Sequence, residues 1–246
     1  MINEVFPGIY TIPVPLPENP LKSLNAYLIK GCDRHLLIDT GFNHPDCLRA
    51  LMQAFQQLDV PVEQLDIFIT NLHSDRCGLV GEFPASETRA IWASKEDANT
   101  INFLATQPAL WHEFMGSWRR HGCDEETILA LYANHPGKKY PPAQKTNFTI
   151  AKEGDILQYG GYELHVLDVP RHTPDHLALC NPERKFLFGG DLILDKITPH
   201  IAHWETMMMH LHPIWIVWTR LISWTLPVRY PVIVPSLVTL SAGLMR

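Results

Sequence analysis

The sequence is poor in several features, and each shortage removes a class of protein. It has only 5 cysteines in 246 residues. Cys32, Cys47, Cys77, Cys123 and Cys180 are odd in number, scattered, and form no CxxC pair. That excludes a disulfide framework and predicts a reducing compartment, the cytoplasm. Positive charge is in deficit, with 20 Lys and Arg against 26 Asp and Glu and a net charge of -6. No basic stripe is available as a footprint for nucleic acid. Residues 1–31 hold no basic segment followed by an apolar run, so no signal peptide is expected there. Long uninterrupted apolar runs are also missing. Ile214–Trp224 is broken by Arg220, and Tyr230–Leu244 by Pro231 and Pro235. Neither reaches the roughly 20 apolar residues of a spanning helix, so membrane attachment is not expected.

What remains is a globular composition, 46% hydrophobic and 19% charged, long enough for one large domain or two small ones. Strands are expected at Ile9–Pro13, Ala26–Ile29 and His35–Ile38, the last closed by Asp39-Thr40-Gly41. Apolar residues at helical spacing (Leu48, Leu51, Met52, Phe55, Leu58) predict a helix over Asp46–Leu58. Further strands are expected at Leu65–Ile69 and Ala90–Ala93, and Ser94 with Asp97 three residues on marks a helix start. Alternation of strand and helix indicates layered α/β architecture. From Lys95 to Gln144 the character turns helical and aromatic, with helices at Ala98–Leu104, Leu110–Arg120 and Asp124–Ala133 and a Pro/Lys/Tyr loop at Pro136–Pro142. This stretch is either an ordinary connection or an insertion over a substrate pocket. Strands resume at Phe148–Ile150, Leu164–Val169, Leu177–Leu179 and Phe186–Phe188, with a hairpin turn at Gly160-Gly161.

Three polar clusters each close a strand. The first is Thr70-Asn71-Leu72-His73-Ser74-Asp75-Arg76-Cys77-Gly78, in which Asn71, His73 and Asp75 alternate. The second is Arg171-His172-Thr173-Pro174-Asp175-His176, and the third is Gly189-Gly190-Asp191. Imidazole and carboxylate converging on one point are ligands for Zn²⁺ and related ions. Any one cluster alone reads as a polar loop or turn. Three in order, from both halves of the chain, are what a metal site between two sheets requires.

These residues resemble the motifs of the metallo-β-lactamase-fold hydrolases, the superfamily that includes glyoxalase II. Asp39-Thr40-Gly41 resembles its early Asp-Thr-Gly turn, and 70–78 resembles its Thr-His-x-His-x-Asp-His-x-Gly loop. Residues 171–176 resemble Gly-His-Thr-Pro-Gly-His, and Gly190-Asp191 the Gly-Asp that carries a bridging carboxylate. The resemblance implies a four-layer αββα sandwich over 1–206 with a helical insertion at about 95–145. It implies one or two zinc ions, or other divalent metals, at one edge. His73 and His172 would bind the first ion, and Asp75 and Asp191 the second, with Asp191 bridging. Asp75 would also orient a metal-bound hydroxide that attacks a carbonyl, and Asp39 would fix the ligand loop from behind. The expected activity is hydrolysis of a small thioester, ester or lactone. The alternative is a catalytically silent relative with a damaged site.

The damage is specific. Asn71 and Arg76 stand where the family has histidines, and a guanidinium ligates nothing and repels a second cation. The superfamily's single-zinc carbapenemases share that Asn and Arg but compensate with a cysteine, where this chain has Asp191. Arg171 and Asp175 replace glycines. The tail, 207–246, is anomalous: it contains no Asp, Glu, Asn, Gln or Lys. Read two bases later in each codon, Met207-Met208-Met209 becomes an acidic run, and Pro231–Pro235 can become Ser-Ser-His-Arg-Ser. That resembles the family's closing segment with its final histidine ligand. A frameshift near Thr206, little metal binding and poor solubility are therefore expected.

Overall fold

The computed structural model describes residues 1–83, 89–106, 110–170, 172–194 and 232–233, apart from the side chains of 110, 112–114 and 232–233. Strands β1 (Asn3–Phe6), β2 (Ile9–Pro15), β3 (Ser23–Ile29) and β4 (His35–Ile38) form an antiparallel meander. Strands β5 (Leu65–Phe68), β6 (Ile91–Ala93) and β7 (Thr149–Ile150) then add in parallel, giving a seven-stranded sheet in chain order. The second sheet runs β8 (Ile156–Tyr159), β9 (Tyr162–Asp168), β10 (Leu177–Asn181) and β11 (Phe186–Phe188) antiparallel. Strand β12 (Val232–Ile233) closes its edge, parallel to β11 with Leu187 opposite Val232. Gly160 and Gly161, with φ of +59° and +79°, make the two-residue turn expected between β8 and β9.

The two sheets pack face to face. Ile9, Tyr27, Ile29, Leu36, Ile38 and Phe68 from the first meet Leu164, Val166, Leu177, Leu179, Phe186 and Phe188 from the second. All are buried, because alternate residues of each strand face inward. The opposite face of the first sheet (Ile12, Val14, Leu28, Leu37, Ile67) packs on helix α1 (Pro45–Gln57) through Leu51, Ala54 and Phe55. His44 caps α1: its Nδ1 accepts from Asp46 N at 3.1 Å, and Pro45 enters where its missing N–H costs nothing. Met52, expected on the buried stripe, is instead 42% exposed, because the stripe follows Cys47, Leu51, Ala54 and Phe55.

Helix α2 (Ser74–Cys77) is a single turn. Helices α3 (Lys95–Thr106), α4 (Leu110–Arg120), α5 (Glu125–Asn134) and α6 (Pro136–Lys139) fill the expected helical stretch. The start of α3 follows the predicted signal, with Asp97 N donating to Ser94 Oγ at 3.2 Å. Part of the anticipated Pro/Lys/Tyr loop is α6, with His135 at its N-cap and Pro136 at its first position. On the outer face of the second sheet, Val169, Ala178, Cys180, Leu187 and Leu192 form a third buried cluster. Three layers of the αββα sandwich are thus on view. The expected fourth layer falls outside the described residues, as do the tail apart from Val232–Ile233 and the substitution at Arg171.

Candidate metal centre

Every predicted site residue lies in the segment that follows the C-terminal end of a strand, β4, β5, β9 or β11. Asp39 follows β4 in a left-handed conformation, φ +61°, unusual for a residue with a Cβ. Its carboxylate accepts from Thr70 N at 2.9 Å and from Thr70 Oγ1 at 2.9 and 3.0 Å, fixing the start of the ligand loop. The loop is tied on its other side by Leu177 N donating to Thr70 O at 2.8 Å, a bond that joins the two halves of the molecule. His73 is the N-cap of α2, so Asp75 and Arg76 occupy a helical turn and not the half-extended alternation expected from spacing. Gly78 ends that turn where a Cβ would lie 2.4 Å from Asn43 N and 2.6 Å from Ser74 O, so only glycine lets the turn dock.

Across the loop, His172 Nε2 lies 2.9 Å from His73 Nδ1 and 3.3 Å from Asp191 Oδ2. Ligand atoms of His73, His172 and Asp191 all fall within 4.8 Å of one another, the sole such group of three among the described residues. Burial holds the His73 imidazole down at about 3, reinforced by the neighbouring His172, so its ring stays neutral and able to donate a lone pair. Burial works against charge on Asp191 too, but Arg76 and His172 overcome it and hold the carboxyl well below its usual range. A carboxylate oxygen and two imidazole nitrogens are the donor set of a divalent ion. These three residues fit one ion.

The second ion position does not fit. Asp75, predicted to ligate there, is outside the group of three, and its Oδ2 lies 3.6 Å from Arg76 Nε. Burial raises Asp75 while the Arg76 charge opposes the rise. Arg76 itself is buried and donates through Nε to Asp191 Oδ2 at 3.1 Å and through NH2 to Asp191 Oδ1. Its NH1 reaches Asp39 Oδ2 at 3.3 Å. Asn71, in place of the other family histidine, donates its amide to Asp191 Oδ2 at 2.9 Å, while its oxygen accepts from His73 N. Both substituted positions therefore point donors at the carboxylate where the family points acceptors at metal. Asp39 is raised to about 6 by burial, with Arg76 and Thr70 opposing.

Two buried residues to which the sequence assigns no role border the site, His176 at Asp191 and Asp97 at the ligand loop's backbone. His176 is fully buried, and its Nε2 accepts weakly from Asp191 N at 3.4 Å. Burial lowers it to about 4. Asp97, on α3, is buried, with Oδ1 unpartnered among the described residues, and stands next to the loop through a backbone hydrogen bond from Leu72. Its helix-start position hid that contact, which only the fold creates.

The family profile described as "Metallo-beta-lactamase superfamily" matches residues 20–236. The chain is 24% identical over 178 residues to the acyl-coenzyme A thioesterase MBLAC2 of Gallus gallus, covering 70% of this chain and 58% of that protein. It thus spans under two thirds of that relative's length. It is 38% identical to a hydroxyacylglutathione hydrolase of Haemophilus influenzae over 42 residues, 17% of this chain and 20% of that one. Among solved structures, a metallo-beta-lactamase family protein from Thermus thermophilus superposes with a TM-score of 0.71 at 27% identity, covering 82% of this chain and 64% of the other. With two packed sheets and a profile that covers most of the sequence, this chain belongs to the metallo-beta-lactamase superfamily.

Proposed function

We propose that the chain is a metal-dependent hydrolase of a small thioester, ester or lactone that works with a single ion, at a rate reduced by its substitutions. The convergence of His73 Nδ1, His172 Nε2 and Asp191 carries this reading. Relatives named for acyl-coenzyme A and hydroxyacylglutathione hydrolysis favour a thioester within that class. When bound, a divalent ion polarises a carbonyl and lowers the pKa of a coordinated water toward about 7. The protein's own part is positional. His73 and His172 supply imidazole nitrogens from opposite sheets, and Asp191 supplies the anionic oxygen. Asp75, at the rim of the group, is placed to orient the attacking water and accept its proton. Five free cysteines support the expected cytoplasmic location. No described helix is long and apolar enough to cross a membrane.

The second reading, a catalytically silent relative, is favoured by one observation: both Asp191 oxygens are already engaged by Arg76 and Asn71. The tail bears on it. In the shifted frame, the histidine codon takes its bases from Val232 and Ile233. These two residues pair with β11, three residues before Asp191. The altered frame would thus return a histidine to the strand that pairs with β11, which supports a frameshift and a missing last ligand in this chain. The discriminating experiment measures zinc content and thioester cleavage for the intact chain and for His172→Ala. One equivalent of zinc, with slow hydrolysis abolished in His172→Ala, is the expected result. Zinc-bound protein with no turnover on acyl-coenzyme A or acyl-glutathione would leave only the silent reading.

A further inference from the structure

Arg76 does more than remove a ligand. Its guanidinium is enclosed by three carboxylates: Asp191 on both oxygens, Asp39 at 3.3 Å and Asp75 at 3.6 Å. Those acids come from separate strand ends and would repel one another if nothing cationic stood between them. The arginine is not a loose side chain that wandered in. Its carbonyl accepts from Thr40 N at 2.8 Å and Thr40 Oγ1 at 2.9 Å, so the α2 turn is locked to the Asp39-Thr40-Gly41 corner. A buried guanidinium needs partners on every side, and here each arm has one. Three carboxylates around one guanidinium outnumber its charge, which favours one divalent ion on the histidine side.

We propose that Arg76 is the centre's permanent second cation. It fills the second-ion position with a charge attached to the chain, gathers Asp39, Asp75 and Asp191 without metal, and limits the protein to one exchangeable ion. The upper limit of one rests on the single-ion reading given above; the role of Arg76 in holding the fold does not. It follows that chelation leaves the structure nearly as stable, whereas loss of the positive charge at this position weakens it.

The test uses the full chain, zinc alone as probe, metal content after dialysis, and thermal melts in chelator and in zinc. For the unaltered protein, no more than one equivalent and a Tm nearly indifferent to chelator are expected. Arg76→Met in chelator should melt about 10 °C lower, because two buried carboxylates and one half-buried carboxylate lose their partner, and zinc should restore part of that loss. Arg76→His should take up a second equivalent. Two equivalents in the unaltered protein, or Arg76→Met melting like it in chelator, overturns the proposal. Should Arg76→Met not fold, Arg76→Lys decides: a folded protein with one equivalent supports a charge role, and an unfolded one refutes it. His73→Ala holding as much zinc as the unaltered chain would instead sink the single-ion reading, while the melts in chelator still judge Arg76.

Discussion

Asp97→Asn tests how much burial at this edge costs. Asp97 is 2% exposed, and its Oδ1 has no partner among the described residues. Burial, helped by the nearby Asp175 charge, raises the carboxyl from 3.8 to about 8. The folded protein therefore binds a proton at neutral pH that the unfolded chain releases. Stability is fully present below about pH 4 and is lost as pH rises through the folded value. A tenfold difference in proton affinity corresponds to about 1.4 kcal/mol, so across the roughly three pH units between 4 and 7 the loss is on the order of 4 kcal/mol. Asparagine keeps the shape and an acceptor for Leu72 N but carries no proton to lose. Urea unfolding at pH 4, 6, 7 and 9 reads the effect directly. Asp97→Asn should match the unaltered protein at pH 4 and exceed it by a few kcal/mol at pH 7, with the gap levelling off above pH 8. The slope of free energy on urea should be unchanged. A gap that stays flat across pH refutes the reasoning.

Gly190→Ala should destabilise by about 2–4 kcal/mol, since φ is +53° and a Cβ would fall 2.4 Å from the buried His176 Nε2. Gly161→Ala, with positive φ but open space, should lose only about 1 kcal/mol; equal losses in thermal melts would show that the His176 contact is slack. Independent reads of the gene should reveal a frame change near Thr206, and an intact frame there removes the frameshift explanation for the tail.

Much of the edge was legible because metal-fold ligands follow strands, and strands announce themselves by short apolar runs. The gathering of His73, His172 and Asp191 was readable for that reason, as were β4 and β11 to the residue. Strand β8 was not, because Ile156 and Gln158 are exposed and only Leu157 is buried. The α2 turn was missed because four residues show no period. The sequence also told what Asn71 and Arg76 could not do: an amide is a poor ligand and a guanidinium is none. What they do instead was decided by tertiary structure alone. Arg76 meets Asp39 across 37 residues and Asp191 across 115, and no local pattern records a contact made by folding two sheets together. A change that looks in sequence like a lost ligand is, in three dimensions, a buried cation with three acids around it.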